Sequence, residues 1–404
     1  MLPRDSAPGS TSTLRAANQQ RVLDLLRRGA PVPAPTDARH AIAGPRVNTS
    51  PLTQAELARL TGLAPATVSG IVRDLAAHGL VETEPGRGRR GTTVQISRAA
   101  GLIGGIDFGH SHVAVAVGDL TGRMLEERRI RLDAEHAWSE GLDRAAALLD
   151  ELLAAVGGDR SQLRQLAMCV PAPIAQGVVR SSAILPGWVG VHAEQVATER
   201  FGITVHVEND ANLGALAEHR VGVARGNTCS VFLKISSGVG AGIIINDELY
   251  RGSFGAAGEV GHLTLDEQGP MCRCGSRGCL EAYASVSAVA AMMATQLPNA
   301  GIDDIVAAAR EGNVAAVRAF EDAGLHLGWG LASVVNLLNP GLVVVGGDLS
   351  RAGELLLEPA RIGLRRHALD AVASTPVVAS QLAERASLTG ALLLAAERTE
   401  LLVA

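Results

Sequence analysis

The chain has 404 residues, of which 47% are hydrophobic and 19% charged, with a formal net charge of −5, which is globular and long enough for two or three domains. The sequence carries no long uncharged apolar run, so no membrane span is expected, and Met1–Ser12 lacks the apolar core of a secretory signal. Five cysteines are too few for a disulfide framework around this much chain, and a cytoplasmic setting is expected.

Charge is unevenly placed. Residues 1–100 hold 13 arginines against 7 acids, and the remainder holds 23 bases against 34 acids. A basic amino-terminal segment on an acidic body suggests a nucleic-acid module.

Residues 1–13 read as a disordered start. Leu14 to Arg28 reads as a helix, with Leu14, Val22, Leu25 and Leu26 at near-helical spacing. Residues 30–51 hold five prolines and little periodicity, which predicts a flexible surface insertion. Helix formation resumes at Thr53, where Thr53 and Glu56 form a capping box. Leu57 and Leu60 should face inward, and Thr61-Gly62-Leu63 should turn the chain. A further helix starts near Pro65, buries Val68, Ile71, Val72 and Leu75, and ends at Gly79. Helix, tight turn, helix is the helix-turn-helix arrangement. Its last helix would offer Thr67, Ser69, Gly70 and Arg73 to base edges and phosphates. Strands over 80–83 and 92–97 then form a wing, with Arg87, Arg89 and Arg90 at its basic tip. A three-helix protein-interaction domain with a solvated basic loop is the plainer alternative.

From Leu102 the pattern changes to strand, glycine turn, strand, with Asp107 and Gly109 at the turn. A helix over 142–156 and a strand over 165–170 follow. Residues 171–190 read as a long loop holding Trp188, either a sugar-stacking face or a core anchor. A strand over 205–208 runs into Asn209 and Asp210 at a strand-to-helix junction, where open α/β sheets present functional groups. Asp210 there can accept a hydroxyl proton, or the pair can simply cap the helix. Strand 231–235 enters a glycine-rich turn, Ser236 to Gly242, before a strand over 243–246. A buried strand ends at Gly346-Gly347. Two such halves suggest a duplicated α/β fold with a cleft between them.

Between Gly261 and Glu281 the chain reads G-H-x9-C-x-C-G-x2-G-C-L-E. His262, Cys272, Cys274 and Cys279 fall within eighteen residues. Thiolate and imidazole are the ligands zinc prefers, and four close a tetrahedral structural site. Inert buried cysteines beside a chance histidine are the bland alternative.

These motifs, together with Gly238-Val239-Gly240-Ala241-Gly242 and Gly258-Glu259-Val260-Gly261-His262, resemble those of the ROK family (repressors, open reading frames and kinases). The resemblance covers nearly the whole chain and implies an actin-like ATPase/sugar kinase fold. The upstream winged helix is similar to that of ROK repressors of sugar metabolism. The resemblance implies structural Zn²⁺ on His262, Cys272, Cys274 and Cys279. It implies sugar contacts from Asn209, Asp210, Glu259, His262 and Glu281, with Asp210 the catalytic base where a member is a kinase. ROK kinases usually read D-x-G-G-T-K at the first phosphate turn, where this chain has Asp107-Phe108-Gly109-His110-Ser111-His112. Asp107, Gly109, Gly238, Gly240, Gly346 and Gly347 are therefore read as a degenerate nucleotide site.

The expected architecture is α/β: a winged helix-turn-helix over 14–98, a first lobe over 100–212 plus 386–404, and a second lobe over 213–385 with the zinc loop. The expected function is a cytoplasmic, homodimeric transcriptional regulator, most simply a repressor. It would bind a double-stranded DNA operator as a dimer or dimer of dimers, under control of a sugar or sugar phosphate. An ATP-dependent hexose or N-acetylhexosamine kinase is the enzymatic alternative. A regulator controlled by a phosphotransferase protein is the other.

Overall fold

In the computed structural model, residues 11–29, 51–86, 91–133, 136–180 and 184–401 are described. Arg87, Arg89 and Arg90, residues 1–10 of the expected disordered start, and residues 30–50 of the expected insertion lie outside them.

Helix α1 (Thr11–Arg28) begins three residues before the expected start, inside the segment read as disordered. It buries Val22 and Leu23 completely. Leu14 does not join that face and is 63% exposed. Eight residues at 3.6 per turn place it about 80° around the helix from Val22. Strand β1 (Leu52–Thr53) leads into α2 (Gln54–Thr61). The capping box forms: the Thr53 N–H donates to Glu56 Oε2 at 2.8 Å and the Glu56 N–H to Thr53 Oγ1 at 3.2 Å. Gly62 takes the left-handed conformation that turns the chain, φ 69°. Helix α3 (Pro65–Ala77) buries Val68, Ile71, Val72 and Leu75, the four residues its periodicity selects. Arg15 of α1 pairs with Asp74 of α3.

The wing is β2 (Val81–Glu84) antiparallel to β3 (Thr93–Ile96), in register from Val81 opposite Ile96 to Glu84 opposite Thr93. Strand β1 adds to the other edge of β3. Two residues are too few for alternation to be read, which hid β1 from the sequence.

The body repeats one topology twice. Strands β4 (Leu102–Gly109), β5 (His112–Asp119) and β6 (Met124–Arg131) form an antiparallel meander. After α4 (Trp138–Ala155), β7 (Leu163–Val170) lies parallel to β4. The expected long loop holds a small hairpin of β8 (Ile174–Ala175) and β9 (Val178–Val179). Helix α5 (Ala193–Phe201) then leads to β10 (Val205–Asn209), parallel to β7, and to α6 (Asp210–Arg220). The sheet order is β10-β7-β4-β5-β6. Strand β6 was not foreseen. Its sequence, MLEERRIR, carries the charge an exposed edge strand uses against further pairing.

The second half follows the same plan. Strands β11 (Cys229–Ile235), β12 (Val239–Ile245) and β13 (Glu248–Leu249) form a meander. Helices α7 (Glu281–Ala284), α8 (Val286–Met293), α9 (Ile302–Arg310) and α10 (Val314–Leu338) precede β14 (Leu342–Gly346), parallel to β11. Helix α11 (Glu354–His367) leads to β15 (Val377–Ala379), and α12 (Ala386–Arg398) ends the fold. The order β13-β12-β11-β14-β15 matches that of the first sheet strand for strand.

Helix α12 returns to pack on β4, β7 and α6. The winged-helix core is continuous with the first-lobe core, Leu23, Leu52 and Val94 joining Leu120 and Leu392 in one apolar cluster. The Arg27 guanidinium ties α1 to the end of the body by donating to the Thr399 carbonyl at 2.6 Å. No helix among the described residues is long and apolar enough to cross a membrane.

Candidate functional site

Strand ends from both halves meet in one cleft. Beyond β4 lies the turn Gly109–His112, at the end of β10 lie Asn209 and Asp210, and near the end of β11 stands Lys234. They line a cavity of about 420 Å³ together with Gly238, Glu259, His262, Arg273, Glu281 and Asp348. Functional groups at the carboxyl ends of strands are what a parallel α/β sheet delivers. The five residues expected to touch sugar all face this space. Another cavity, of about 360 Å³, lies away from these groups, between the winged helix and the first lobe.

Asn209 caps α6. Its Oδ1 accepts from the N–H groups of Ala211 at 2.9 Å and Asn212 at 3.1 Å, and its Nδ2 donates to the Ala172 carbonyl at 3.2 Å. The cap reading and the site reading are therefore compatible: capping locks the Asn209 amide and fixes where Asp210 starts. Asp210 is buried, and its Oδ1 accepts from the Ala211 N–H at 2.8 Å.

Its other oxygen, Oδ2, stands 2.7 Å from the Lys234 ammonium. Lys234 Nζ also donates to Ser387 Oγ at 3.0 Å and lies 4.0 Å from Asp107 Oδ1. Burial disfavours the Lys234 charge, but Asp210 and Asp107 hold its pKa far above the ordinary lysine value. Burial likewise opposes ionisation of Asp107, yet the Lys234 charge and the nearby His112 imidazole keep its carboxyl below the usual range. Burial pushes Asp210 up, against the pull of Lys234. The sequence reading did not place Lys234 in the site. The available signal was a single lysine in a chain with 36 basic residues, set inside the apolar run V-F-L-K-I.

Glu259 and His262 sit on a loop pressed against β12. The Ala241 N–H donates to the Gly258 carbonyl at 2.8 Å, and Gly258 has φ 101°. A Cβ at Gly258 would lie 1.9 Å from the Ala241 carbonyl oxygen, so only glycine permits this approach. Glu281 opens α7, and its Oε2 accepts from the Val239 N–H at 3.0 Å. Its Oε1 lies 3.6 Å from Arg273 Nε.

The potential ligand atoms of His262, Cys272, Cys274 and Cys279 lie within 4.8 Å of one another. Cys274 and Cys279 sulfurs are 3.8 Å apart, as are Cys272 Sγ and His262 Nδ1. Sulfurs ~2.3 Å from a tetrahedral zinc stand roughly 3.8 Å apart, so these four residues fit that ion. A tight turn presents them: the Gly275 N–H donates to the Cys272 carbonyl at 3.0 Å, and the Cys272 N–H to the Ser276 carbonyl at 2.8 Å. His262 Nε2 points the other way, 3.9 Å from Glu259 Oε2.

The first turn is crowded with imidazoles. His112 Nε2 lies 3.8 Å from Asp107 Oδ2, and His112 Nδ1 lies 3.1 Å from Arg129 Nη2. His110 is exposed, its Nδ1 3.3 Å from the Ile184 carbonyl. Of the residues read as a degenerate nucleotide site, Gly109, Gly238 and Gly240 line the cleft, while Asp107 lies beneath it. Gly240 is not part of a turn, because β12 already begins at Val239, four residues before the expected strand. Gly346 and Gly347 stand behind the lining at the end of β14, and the next residue, Asp348, reaches the cleft.

Trp188 is fully buried, 5.1 Å between ring centroids from Phe108, and is not part of the lining. Of its two readings, the core anchor is the one that holds. On the other surface of interest, Thr67 and Arg73 of α3 are exposed, and Ser69 and Gly70 are half-buried.

Comparison with known proteins agrees with this geometry. Residues 103–398 match the ROK family, and residues 46–91 match the MarR family. The chain belongs to the ROK family. This ROK-family chain is 30% identical to the xylose repressor of Caldicellulosiruptor bescii, over 77% of its own length and 82% of that protein. Its fold is similar to the crystal structure of a ROK family transcriptional regulator described as a homologue of the E. coli MLC protein. There the TM-score is 0.73 and the identity 26%, covering 94% of this chain and 96% of that one. It is also similar to a ROK family glucokinase from Streptomyces griseus solved with glucose and AMPPNP. In that case the TM-score is 0.64 and the identity 31%, covering 74% of this chain and 100% of that one. Beyond the shared body, the regulator likeness extends over the winged helix.

Proposed function

We propose that this protein is a sugar-responsive transcriptional repressor of carbohydrate metabolism genes, working in the cytoplasm as a homodimer. The observation that carries the proposal is one chain joining a helix-turn-helix to a cleft in which Asn209, Asp210, Glu259, His262 and Glu281 converge. Carboxylates and an amide in such a cleft discriminate hydroxyl positions strongly, because an unmatched group stays unpaired. Thr67, Ser69 and Arg73 on α3 would read operator bases and phosphates, with Arg87, Arg89 and Arg90 of the wing on backbone or minor groove. Two copies would place their α3 helices in successive major grooves of a near-palindromic site.

Zinc on His262, Cys272, Cys274 and Cys279 would hold the loop that carries Glu281, leaving His262 Nε2 for the ligand. Asp107, Gly109, Gly238, Gly240, Gly346 and Gly347 are then the remains of a nucleotide site. The domain limits that go with this reading are 14–98 for the DNA-binding part, 100–212 plus 386–404 for the first lobe and 213–385 for the second. To induce, the sugar must bind the DNA-incompetent state more tightly, with a typical coupling of about 1–3 kcal/mol.

Kinase activity is the second reading, favoured by the buried Asp210 carboxylate at the strand-to-helix junction. A melting-temperature screen with pentoses, hexoses, N-acetylhexosamines and their phosphates, with and without Mg-ATP, separates the two. A rise with a sugar or sugar phosphate alone is expected, and the active compound should release operator DNA. A rise that requires Mg-ATP, with ADP formed, would replace the repressor by a kinase. Silence toward every sugar would overturn the proposal in favour of control by a protein partner.

A further inference from the structure

The cleft holds a cation that belongs to the protein itself. Lys234 lies on β11 in the second half of the body, and its two carboxylate neighbours come from the first half, Asp107 on β4 and Asp210 at the start of α6. Its ammonium stands 2.7 Å from Asp210 and 4.0 Å from Asp107, with Ser387 Oγ at 3.0 Å. Asp107 and Asp210 are 3% and 8% exposed, so neither is neutralised by bulk water. Two buried carboxylates, one on a strand and one at a helix start, converging on one point form the donor set a hard divalent cation takes in phosphoryl-transfer sites. Here an ammonium occupies that point, and His110 and His112 crowd the adjoining turn.

We infer that Lys234 is a built-in cation that takes the place of the divalent metal, so that the cleft accepts a hydroxyl-bearing ligand without metal or nucleotide. A metal ion entering between Asp107 and Asp210 would meet the ammonium at close range in a poorly solvated site, and like charges there repel strongly. The ammonium also holds Asp210 Oδ2, and the Ala211 N–H holds Oδ1, so neither oxygen of the carboxylate a kinase would use as its base is free. One residue therefore accounts both for independence from Mg-ATP and for loss of the transfer chemistry. The ligand half of this statement rests on the sugar-cleft reading, but the metal half does not.

The test is Mn²⁺ binding to full-length, zinc-loaded protein, read by loss of the free-ion electron paramagnetic resonance signal with no sugar present. The wild type should take up no Mn²⁺ in the cleft. Lys234→Ala should gain one site, binding at least about tenfold more tightly than the wild type, as removal of a close like charge requires. The gained site should vanish again in Lys234→Ala/Asp210→Asn. Lys234→Met keeps the volume of the stem and removes only the charge, so it serves where the alanine variant does not fold, folding being checked by circular dichroism. Wild-type Mn²⁺ uptake that Asp210→Asn abolishes would overturn the inference. So would a folded Lys234→Met protein with no gain in Mn²⁺ affinity. Because no sugar is involved, failure here leaves the repressor proposal standing, and failure of the sugar screen leaves the metal result standing.

Discussion

Truncating Trp188 distinguishes a structural role from a ligand-binding one. The side chain is fully buried, packs on Phe108 at 5.1 Å with the rings tilted by 54°, and lies among Leu185, Ala193 and Ala197 of the first-lobe core. Trp→Ala at a core position costs about 3–5 kcal/mol, of which the aromatic pair accounts for roughly 0.5–1.5. Trp188 Nε1 has no hydrogen-bond partner among the described residues. Burying an unpaired donor already costs about 1–3 kcal/mol in the folded protein. Trp188→Phe removes that donor along with some volume, so the two effects partly cancel and the expected loss is only about 1–2 kcal/mol. Urea unfolding followed by circular dichroism, with fluorescence from the remaining Trp138 and Trp329, measures both variants. Sugar affinity of Trp188→Phe should stay within about twofold, since Ile184 and not Trp188 reaches the cleft. The reasoning is refuted if Trp188→Ala is nearly neutral in stability while Trp188→Phe loses most of its sugar affinity.

Three further outcomes are expected. Inductively coupled plasma spectrometry should find about one zinc per chain in the wild type and little in Cys272→Ser, which should also lose operator binding; full-affinity binding by zinc-free protein would break the link between loop and DNA. Arg73→Ala should weaken operator binding by about 1–3 kcal/mol if it contacts a base, and lower the salt slope by about one if it contacts phosphate, in an anisotropy titration across ionic strengths. His219 is buried, and burial followed by the Arg220 charge lowers its pKa, with Asp247 at 3.5 Å opposing. The unfolded chain then takes up a proton near the ordinary histidine value before the folded one does, so stability falls as pH drops below about 6.5, by at most ~1.4 kcal/mol per unit for this group. His206 is shifted the same way. His219→Gln should flatten the acid limb of a stability-versus-pH curve, and an unchanged limb would show that His219 is not the group responsible.

Features set by neighbours in sequence were legible before any coordinates. The Thr53–Glu56 capping box, the buried face of α3 and the left-handed turn at Gly62 depend on residues three or four apart, and they form as their spacing dictates. The loop holding His262, Cys272, Cys274 and Cys279 is similarly local, because a metal site assembled from one short segment carries its geometry in its spacing. Strands β1 and β6 were not legible, one being two residues long and the other a charged edge whose partner alone makes it a strand. What the cleft contains was decided only by tertiary structure. Nothing near Lys234 in sequence announces an acid partner. Asp210 is 24 residues away and Asp107 is 127, and they meet it only because the two halves of the body bring their strand ends to one cleft. Trp188 likewise had two readings, sugar-stacking face or core anchor, and only its burial against Phe108 decides between them. Short-range hydrogen bonding writes itself into periodicity and spacing, whereas burial and charge pairing between distant strands depend on where the sheets finally pack.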